Sequence, residues 1–272
     1  MAPDRPHSDA TADLKPFTGQ HAVVTGGGRG IGAAIAEHLA ARGASLTLIG
    51  RSREPLEAHR ARLAARYTVP VEAVTADVTD AARVAAGFAA AVKALGPVQI
   101  LINNAGRGES VPLKRMDLAF LNRMLSINVA STFLCIQQVL PAMTEAGYGR
   151  IVNVASTAGL IGYRYVAAYV ASKHAVVGLT KAMALELAKT GITVNAVCPS
   201  YVETDMTKDT VANIIAKTGK SEAEVRAELV QFNPQARMIA PAEVASVVSW
   251  LALPASHSIT GLAIPVAGGE VM

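Results

Sequence analysis

Short apolar runs alternate with amphipathic stretches along most of this chain. The runs are rich in Val, Ile and Leu and end at small or turn-forming residues, which is typical of strands buried on both faces. In the stretches between them, apolar residues recur at helical spacing. Because strands that alternate with helices require right-handed crossovers, the pattern predicts an α/β fold with one doubly wound parallel sheet. The predicted strands are 21–26, 44–50, 71–78, 100–106, 150–156 and 192–199, with a short last strand in 261–269.

Helices are predicted between these strands, and the alternation is interrupted after Pro199. Residues 203–237 predict one or two amphipathic helices rich in both charges, and an irregular excursion of this length is usually functional. We therefore expect a substrate lid at 203–237, inside a single domain over 19–272 that follows a flexible leader at 1–18. The predicted helices are 31–43, 53–67, 81–96, about 117–140, about 167–190 and 240–252.

Composition and charge narrow the class of protein. Hydrophobic residues make up 51% of the 272-residue chain and charged residues 17%, which is enough apolar material for a large core. The net charge of +4 comes from scattered basic residues, so we expect no nucleic-acid partner. No uninterrupted apolar stretch is long enough for a transmembrane helix, and residues 1–18 lack the apolar core of a signal peptide. Cys135 and Cys198 lie in apolar runs without a CxxC motif, which favours reduced, buried thiols, a cytoplasmic location and no metal site.

The turn after the first strand, TGGGRGIG (25–32), is rich in glycine and leads into the first helix. In open α/β sheets, ligands bind at the carboxyl ends of the strands, near the point where the strand order changes. Glycines there allow positive φ angles, and the helix N-terminus offers free N–H groups to a pyrophosphate. Gly26, Gly30 and Gly32 therefore predict a dinucleotide site, although their spacing differs from GxGxxG and an ordinary tight turn is the alternative.

The residues after the second strand bear on which dinucleotide binds. An acidic residue at this point usually takes the ribose 2′-hydroxyl of NAD, whereas arginine accommodates the 2′-phosphate of NADP. Here Arg51, Ser52 and Arg53 follow the strand, no carboxylate occurs before Glu54, and Arg29 lies in the glycine turn. Two guanidinium groups favour NADP(H). NAD(H) stays as the alternative if Arg51 is only a solvated residue at a helix start.

Tyr169 and Lys173 in YVASK (169–173) lie four residues apart in a predicted helix, so their side chains share one face. A free tyrosine titrates at about pH 10 and exchanges protons poorly at neutral pH. A lysine one turn away can lower the phenol pKa by its charge. The pair therefore indicates a phenol tuned to move a proton.

Six motifs, taken together in this order, resemble the short-chain dehydrogenase/reductase family over about residues 18–272: TGGGRGIG, ADV (76–78), NNAG (103–106), SINVAS (126–131), IVNVAS (151–156) and YVASK. The stretch from GRIVNVASTAG to ITVNAVCP is similar to bacterial β-ketoacyl reductases and polyketide ketoreductases, and also to 3-hydroxyacyl-CoA and 3-hydroxybutyrate dehydrogenases. The resemblance implies a Rossmann-like fold, a nicotinamide cofactor, a carbonyl or alcohol substrate and a homotetramer.

Carried over by position, the resemblance implies four catalytic residues. Tyr169 would be the general acid/base, Lys173 would hold the nicotinamide ribose, and Ser156 would donate a hydrogen bond to the substrate carbonyl oxygen. Asn128 would bind a water that connects Lys173 to solvent. Each has a structural alternative: Ser156 satisfying backbone groups, Asn128 capping a kink, and Lys173 reaching outward to solvent.

The resemblance also outlines the cofactor cleft. Asp77 would meet the adenine amino group, unless it only caps a turn, and Val202 and Thr204 would touch the nicotinamide carboxamide. Where the family commonly has Pro-Gly after the sixth strand, this chain has Pro199-Ser200, which leaves the backbone beside the nicotinamide open to question. The predicted cofactor-binding residues are Gly26, Arg29, Gly30, Ile31, Gly32, Arg51, Ser52, Asp77, Val78, Asn104, Ala105, Gly106, Tyr169, Lys173, Pro199, Val202 and Thr204.

The sequence is compatible with three functions. The first is an NADP(H)-dependent oxidoreductase that transfers hydride between nicotinamide and a ketone or secondary alcohol, with a β-ketoacyl thioester or related carbonyl compound as substrate. The second is an NAD-dependent secondary-alcohol or 3-hydroxyacyl dehydrogenase working oxidatively. The third is a catalytically silent nucleotide-sensing protein, against which the Tyr169/Lys173 pair argues because a sensor needs only the cofactor cleft.

The substrate itself is weakly specified by the sequence. Basic residues of the lid could meet the phosphates of CoA or of a carrier protein, but carboxylates are equally common there, and a solvated charged face is the favoured interpretation. The residues expected to face the substrate are Thr157, Leu160, Tyr163, Tyr201 and Met206, and the basic residues are Lys208, Lys217, Lys220 and Arg226.

Overall fold

Seven parallel strands form one sheet in the computed structural model, which describes residues 15–272. The strands are β1 (His21–Thr25), β2 (Ser45–Gly50), β3 (Val71–Thr75), β4 (Ile100–Asn103), β5 (Gly149–Val154), β6 (Ile192–Pro199) and β7 (Ala263–Val266). Their spatial order is β3-β2-β1-β4-β5-β6-β7, and every neighbouring pair is parallel. The predicted doubly wound sheet is thus confirmed, and the strand order changes between β1 and β4.

Helices lie between the strands as the apolar spacing predicts, with one difference. The single helix expected at 117–140 is two α-helices joined by a π-helical turn, Ser126–Ala130, and it continues past Pro141 until the left-handed Gly147 ends it. The helices are α1 (Gly30–Ala41), α2 (Arg53–Arg66), α3 (Ala81–Leu95), α4 (Leu118–Leu125), α5 (Ser131–Ala146), α6 (Ala167–Glu186), α7 (Asp205–Thr218), α8 (Glu222–Val230) and α9 (Pro241–Ala252).

Alternate residues of each strand feed two large apolar cores, one on each face of the sheet. Along β1, Val24 packs with α1, α2 and α9, whereas Val23 packs with α3 and α5. Both faces of the central strands are therefore buried in apolar cores, which explains why their sequences are continuous apolar runs rather than alternating ones. Cys135 and Cys198 are buried free thiols, and burial raises the pKa of each.

One helical stretch within residues 15–272, Leu118–Ala146, is long and apolar enough to cross a membrane by length and composition alone. Its α5 part contributes Cys135, Ile136, Val139 and Met143 to the core beneath the sheet. Core packing therefore accounts for part of its apolar character.

Only the last four residues of the leader predicted at 1–18 fall within the described part of the chain. Residues 1–14 lie outside the described part of the chain. Residues 15–18 belong to a turn in which Phe17 is 0% exposed and donates its backbone N–H to the carbonyl of Arg42 at 3.1 Å. Burial of one large aromatic ring ties this segment to the core.

The segment expected to form a lid contains two helices, α7 and α8. It leaves and rejoins the domain at one place, because Val202 and Ile239 form a parallel bridge and Glu203 donates its N–H to the Ile239 carbonyl at 2.9 Å. Its basic residues are largely neutralised within the segment: Arg226 pairs with Glu203 and Glu222, Lys208 with Asp205, and Lys220 with Glu228. These pairs favour the solvated charged face over a phosphate-binding surface.

Candidate active site

The glycine turn after β1 has a backbone that only glycine can supply. Gly26 and Gly30 have φ angles of +66° and +57°, in the left-handed region. A methyl group on Gly32 would lie 2.3 Å from the Gly26 carbonyl oxygen and 2.5 Å from Asn104 Nδ2. The turn is thus closed tightly on itself and against the end of β4.

The N-terminus of α1 lacks a side-chain cap. Arg29 occupies the N-cap position, its side chain makes no capping hydrogen bond, and the first turn holds no acidic residue. The first N–H groups of a helix lack partners within the helix, so Gly30, Ile31 and Gly32 can present theirs to an anion. These donors fit the pyrophosphate of a dinucleotide.

Two exposed arginines flank this anion site. Arg29 and Arg51 take part in none of the ion pairs within residues 15–272. Ser52, beside Arg51, is exposed as well and caps α2 without a side-chain hydrogen bond. The group of donors fits a 2′-phosphate, which a guanidinium binds through charge-assisted bonds.

The Asp77 carboxylate accepts hydrogen bonds from its own turn, as expected if this residue caps the turn. The strand expected to reach residue 78 ends at Thr75, and Asp77 Oδ1 accepts hydrogen bonds from Thr79 N at 3.0 Å and Thr79 Oγ1 at 2.7 Å. These bonds, helped by the charges of Arg51 and Arg83, hold the pKa of the Asp77 carboxyl below its usual value. Val78 beside it is buried.

The loop after β4 is clamped to the glycine turn. Asn104 donates its side-chain amide to the carbonyl of Thr25 at 2.9 Å and of Gly26 at 3.3 Å. In return, Thr25 Oγ1 accepts the backbone N–H groups of Asn104 and Ala105, each at 3.0 Å. Sequence reasoning did not single out Thr25, although a hydroxyl at the last position of β1 was a visible signal. The clamp fixes the wall of the cleft opposite the pyrophosphate site.

Asn128 lies in the π-helical turn, and its side chain holds the loop after β4 rather than Lys173. Its Oδ1 accepts from Arg107 N at 2.9 Å, while Nδ2 donates to Arg107 O and to Ser172 Oγ, each at 3.0 Å. A methyl group on Gly106 would lie 2.9 Å from Asn128 Oδ1 and 3.5 Å from Lys173 Nζ. Asn128 and Lys173 therefore face the same point without bonding to each other.

Lys173 is a buried ammonium group, which excludes the alternative of a side chain reaching out to solvent. It is 6% exposed and donates from Nζ to the Val154 carbonyl at 2.9 Å. Burial lowers its pKa to about 8. The 3₁₀ turn after β5, Thr157–Gly159, packs closely on this helix, because a methyl group on Gly159 would lie 2.8 Å from the Lys173 carbonyl oxygen.

Tyr169 and Ser156 meet at the same edge of the sheet. Burial raises the pKa of the Tyr169 phenol, and a hydrogen bond with Ser156 opposes that rise. The Lys173 ammonium lies 5.7 Å from the centre of the Tyr169 ring, and the expected lowering of the phenol pKa by this charge is not found. The reason is physical: both groups are desolvated, and burial favours the neutral form of each.

Ser156 is oriented by a short 3₁₀ turn that begins after it. Its Oγ accepts the N–H of Ala158 at 3.1 Å, so the hydroxyl proton is not used by the backbone and can be donated on the side of Tyr169. The alternative of a purely structural serine would use that proton on the backbone, and no such bond forms within residues 15–272. The geometry therefore leaves one donor aimed away from the protein backbone.

The segment after β6 reaches back to the glycine turn. Pro199 ends β6, Val202 is buried at the bridge, and Thr204 caps the start of α7. A methyl group on Gly30 would lie 3.4 Å from Thr204 Cγ2. The glycine turn and the segment after β6, which are far apart in sequence, therefore line one cleft.

A carboxylate that sequence reasoning missed lies beside this cleft. Glu270 Oε2 accepts the Ser200 hydroxyl, and Glu270 Oε1 accepts the Tyr163 phenol at 2.5 Å. Thr157 Oγ1 lies 2.9 Å from the same phenol oxygen. We call Thr157, Tyr163, Ser200 and Glu270 the Glu270 cluster. Its one visible signal was the serine at the position where the family commonly has glycine.

Comparisons with known proteins agree in family and fold. Residues 20–214 match the short chain dehydrogenase family. A Streptomyces violaceoruber protein named as ketoacyl reductase 1 of the granaticin polyketide synthase is 41% identical over 265 residues, 96% of this chain and 97% of that protein. Levodione reductase of Leifsonia aquatica is 36% identical over 258 residues, 93% of this chain and 95% of the enzyme. A solved variant of actinorhodin polyketide ketoreductase with NADPH is 37% identical, with a TM-score of 0.89 over 94% of this chain and 98% of its own.

Proposed function

The chain belongs to the short-chain dehydrogenase family of oxidoreductases, and from that premise we propose that it is an NADP(H)-dependent ketoreductase. One observation carries the proposal: Ser156, Tyr169 and Lys173 lie together at the carboxyl edge of a sheet whose glycine turn opens onto an uncapped helix N-terminus. A proton donor and an anion site on one cleft are what carbonyl reduction by a nicotinamide dinucleotide requires.

The side chains of this cleft would polarise a carbonyl and protonate it. Bound NADPH would supply the hydride. The Ser156 hydroxyl donates a hydrogen bond to the substrate carbonyl oxygen and so stabilises the negative charge that develops there. Tyr169 then gives its phenol proton to that oxygen. A raised pKa keeps the phenol protonated at neutral pH, as a proton donor in the reductive direction must be.

Lys173 and Asn128 support this chemistry from the protein side. With a pKa of about 8, Lys173 is mostly charged at pH 7 and places its ammonium between Tyr169 and the predicted position of the nicotinamide ribose. Asn128 holds the backbone of Arg107 and so shapes the loop around Gly106. We propose that it is a positioning residue at the start of a proton path that ends on Lys173.

Cofactor preference rests on Arg29 and Arg51. Both guanidinium groups are exposed without an ion-pair partner in the described part of the chain, at the two strand ends that meet the adenosine ribose in this fold. The actinorhodin polyketide ketoreductase structure, named with NADPH, supports the same choice by similarity.

The substrate we propose is a β-ketoacyl thioester or a related ketone. The names of the granaticin ketoacyl reductase and of levodione reductase support a ketone in the reductive direction. Lining residues of mixed character, among them Tyr163, Tyr201 and Thr157, suit a substrate with an apolar body and a polar reacting end.

We further propose a cytoplasmic homotetramer. Large apolar side chains are exposed on α4, α5, α6, α9 and the loop before β7, more than a monomer of this size needs. Light scattering of the purified protein measures the assembly. The exposed residues are Leu118, Phe133, Leu185, Trp250 and Leu262.

A panel of ketones and their alcohols tests the function. Absorbance of the reduced nicotinamide is followed with NADPH and with NADH, using β-ketoesters, cyclic ketones and an acyl thioester. We expect ketone-dependent oxidation of NADPH faster than of NADH. Preferred oxidation of alcohols with NAD would favour the dehydrogenase alternative. Cofactor binding without turnover of any compound would favour a nucleotide sensor.

A further inference from the structure

Glu270 is a carboxylate at the substrate side of the cleft that the proposed chemistry does not use. Both of its oxygens are occupied by hydroxyl donors, Ser200 on one and Tyr163 on the other. Since the only phenol proton of Tyr163 goes to Glu270, the Thr157 hydroxyl donates to the Tyr163 oxygen. The protons of Ser200 and Tyr163 therefore point at the one carboxylate, and that of Thr157 points at the Tyr163 oxygen.

The donors of the cluster come from the same sheet edge as the reacting groups. Thr157 follows Ser156 directly, and Ser200 follows the last residue of β6. Tyr201 follows Ser200 directly; the charge of Glu270 acts to raise the pKa of Tyr201, and Tyr201 acts to raise that of Tyr169. The carboxylate and the proton donor are therefore both within electrostatic reach of Tyr201.

The C-terminal segment that carries Glu270 is fixed in place by close packing. Gly268 has a φ of +60°, and a methyl group there would lie 2.2 Å from Oδ1 of the buried Asn233. Pro234 packs against Gly269. The turn is closed by a hydrogen bond from Glu270 N to the Ala267 carbonyl at 3.1 Å. Glu270 is therefore held by backbone geometry as well as by its hydroxyl donors.

No cation neutralises this carboxylate within residues 15–272. Glu270 takes part in none of the ion pairs there, whereas Glu203 and Glu222 of the lid and Glu243 of α9 are each paired with arginine. Hydroxyl donors carry no net charge, so they leave the negative charge of the carboxylate in place. A second negative charge that enters a partly desolvated cleft beside it is repelled more strongly than in water.

We propose that Glu270 makes this site select ketones that are uncharged near the reacting carbonyl and reject those that carry a carboxylate there. This inference rests on the proposed ketoreductase function and adds a substrate class to it. A 3-keto acid presents its carboxylate close to the ketone, whereas its ester or thioester presents none. The site is thus suited to masked acyl chains or neutral cyclic ketones rather than free keto acids.

A matched pair of substrates tests the proposal. Ethyl acetoacetate and acetoacetate share the reacting ketone and differ in charge, so the ratio of their kcat/KM values with NADPH measures the discrimination. We expect the wild type to favour the ester, and Glu270→Gln to raise the acid-to-ester ratio by roughly tenfold, as removal of one nearby charge predicts. Glutamine keeps the size of the side chain and an acceptor for one hydroxyl.

Two further variants separate charge from shape. Glu270→Asp keeps the charge and should keep a low acid-to-ester ratio. Glu186→Gln removes an exposed carboxylate at the far end of α6, about 25 Å along the helix from Tyr169, and should leave the ratio unchanged. Thermal unfolding of each variant confirms that the fold is intact.

The outcomes distinguish this inference from the function on which it rests. A wild type that reduces neither compound nor any other ketone contradicts the ketoreductase proposal itself. Ketone reduction with an acid-to-ester ratio that Glu270→Gln does not change, or that Glu270→Asp raises as much as Glu270→Gln does, overturns the role of the charge alone. If acetoacetate is turned over too slowly to measure, its inhibition constant against the ester gives the same comparison.

Discussion

Backbone atoms shape the cofactor half of the site, residues 21–106, whereas side chains from distant segments shape the substrate half, residues 149–272. In the first half, Gly26 and Gly32 leave no room for an added carbon, Gly30 has a left-handed φ angle, and the ligand donors are N–H groups of α1. In the second, a phenol, hydroxyls and a carboxylate meet across sequence separations of 70 and 107 residues.

This difference predicts which amino-acid substitutions each half of the site tolerates. A site made of backbone is damaged by any added atom, because the close approach itself binds the ligand. A site made of side chains keeps its shape when a polar atom is removed, yet its protonation and charge change. Added atoms should therefore cost affinity in the cofactor half, whereas removed atoms should cost chemistry or selectivity in the substrate half.

The largest effect is expected for Tyr169→Phe, which removes one oxygen from the substrate half. Without the phenol proton, turnover should fall by roughly 100- to 10,000-fold, the usual contribution of a positioned acid. The affinity for NADPH, measured by quenching of protein fluorescence or by calorimetry, should stay close to that of the wild type. Loss of both together would break the division between the two halves.

Tyr165→Phe is the matched control for that loss. Tyr165 lies on the loop just before α6, is 65% exposed, and its hydroxyl forms no hydrogen bond within residues 15–272. Its removal should leave turnover as it is. Full activity in Tyr169→Phe would require another proton donor, and Tyr163 and Tyr201 are the phenols close enough to examine next.

The next largest effect is expected for Gly32→Ala, which adds one carbon to the cofactor half. The methyl group would lie 2.3 Å from the Gly26 carbonyl oxygen, so the turn must move. Overpacking of this kind costs about 1–3 kcal/mol, which corresponds to roughly 10- to 100-fold weaker NADPH binding when the strain falls on the binding conformation. Titration calorimetry measures the dissociation constant.

Gly178→Ala makes the same chemical change where space is open. Gly178 is an exposed residue of α6 with nothing within 4 Å of the added carbon. Alanine there should raise the free energy of unfolding by about 0.5–1 kcal/mol, because it favours the helix. Equal NADPH affinity in Gly32→Ala and the wild type would show that the turn is not part of the cofactor site.

The sequence predicts the cofactor half better than the substrate half for the same reason. A backbone site is encoded by neighbours in the chain, so the residues of the TGGGRGIG turn are recognisable from sequence, and the parallel sheet follows from the alternation of apolar runs and helices. The Glu270 cluster depends on residues that no local pattern connects, and only Ser200 in place of glycine hinted at it. The direction of the Tyr169 pKa shift also escaped prediction, because burial is a property of the whole fold.

Asn128 and Asp77 lie between these extremes. Asn128 was predicted through the family resemblance, and the structure places it in a π-helical turn, where its amide holds the Arg107 backbone. Asp77 was placed at the end of a strand that stops at Thr75, and its Oδ1 is used by Thr79. In both cases the hydrogen-bond partners of the side chain could be found only from the folded structure.

A smaller effect is expected for Arg51→Ala, which removes a charge at the edge of the cofactor half. Loss of a charge-assisted bond to the 2′-phosphate should raise the KM for NADPH by roughly tenfold and leave the KM for NADH nearly unchanged. Arg53→Ala, two residues further into α2, is the positional control. A shift in NADPH preference in Arg53→Ala instead of Arg51→Ala would move the phosphate contact two residues along the chain, to the start of α2.

The smallest effect is expected for a change of pH that removes the charge of Lys173. This residue lies in the substrate half by sequence, and we propose that it contacts the cofactor. Its pKa of about 8 in the folded protein lies below the ordinary 10.5. NADPH is an anion, so its affinity should fall several-fold as the pH rises through 8 and the ammonium is lost. Stability should change in the opposite sense: between pH 8 and 10.5 the unfolded chain holds a proton that the folded one has released, so the free energy of unfolding rises with pH. Lys173→Met should abolish both trends, and wild-type NADPH affinity that is the same at pH 7 and pH 9.5 would remove Lys173 from the cofactor contact.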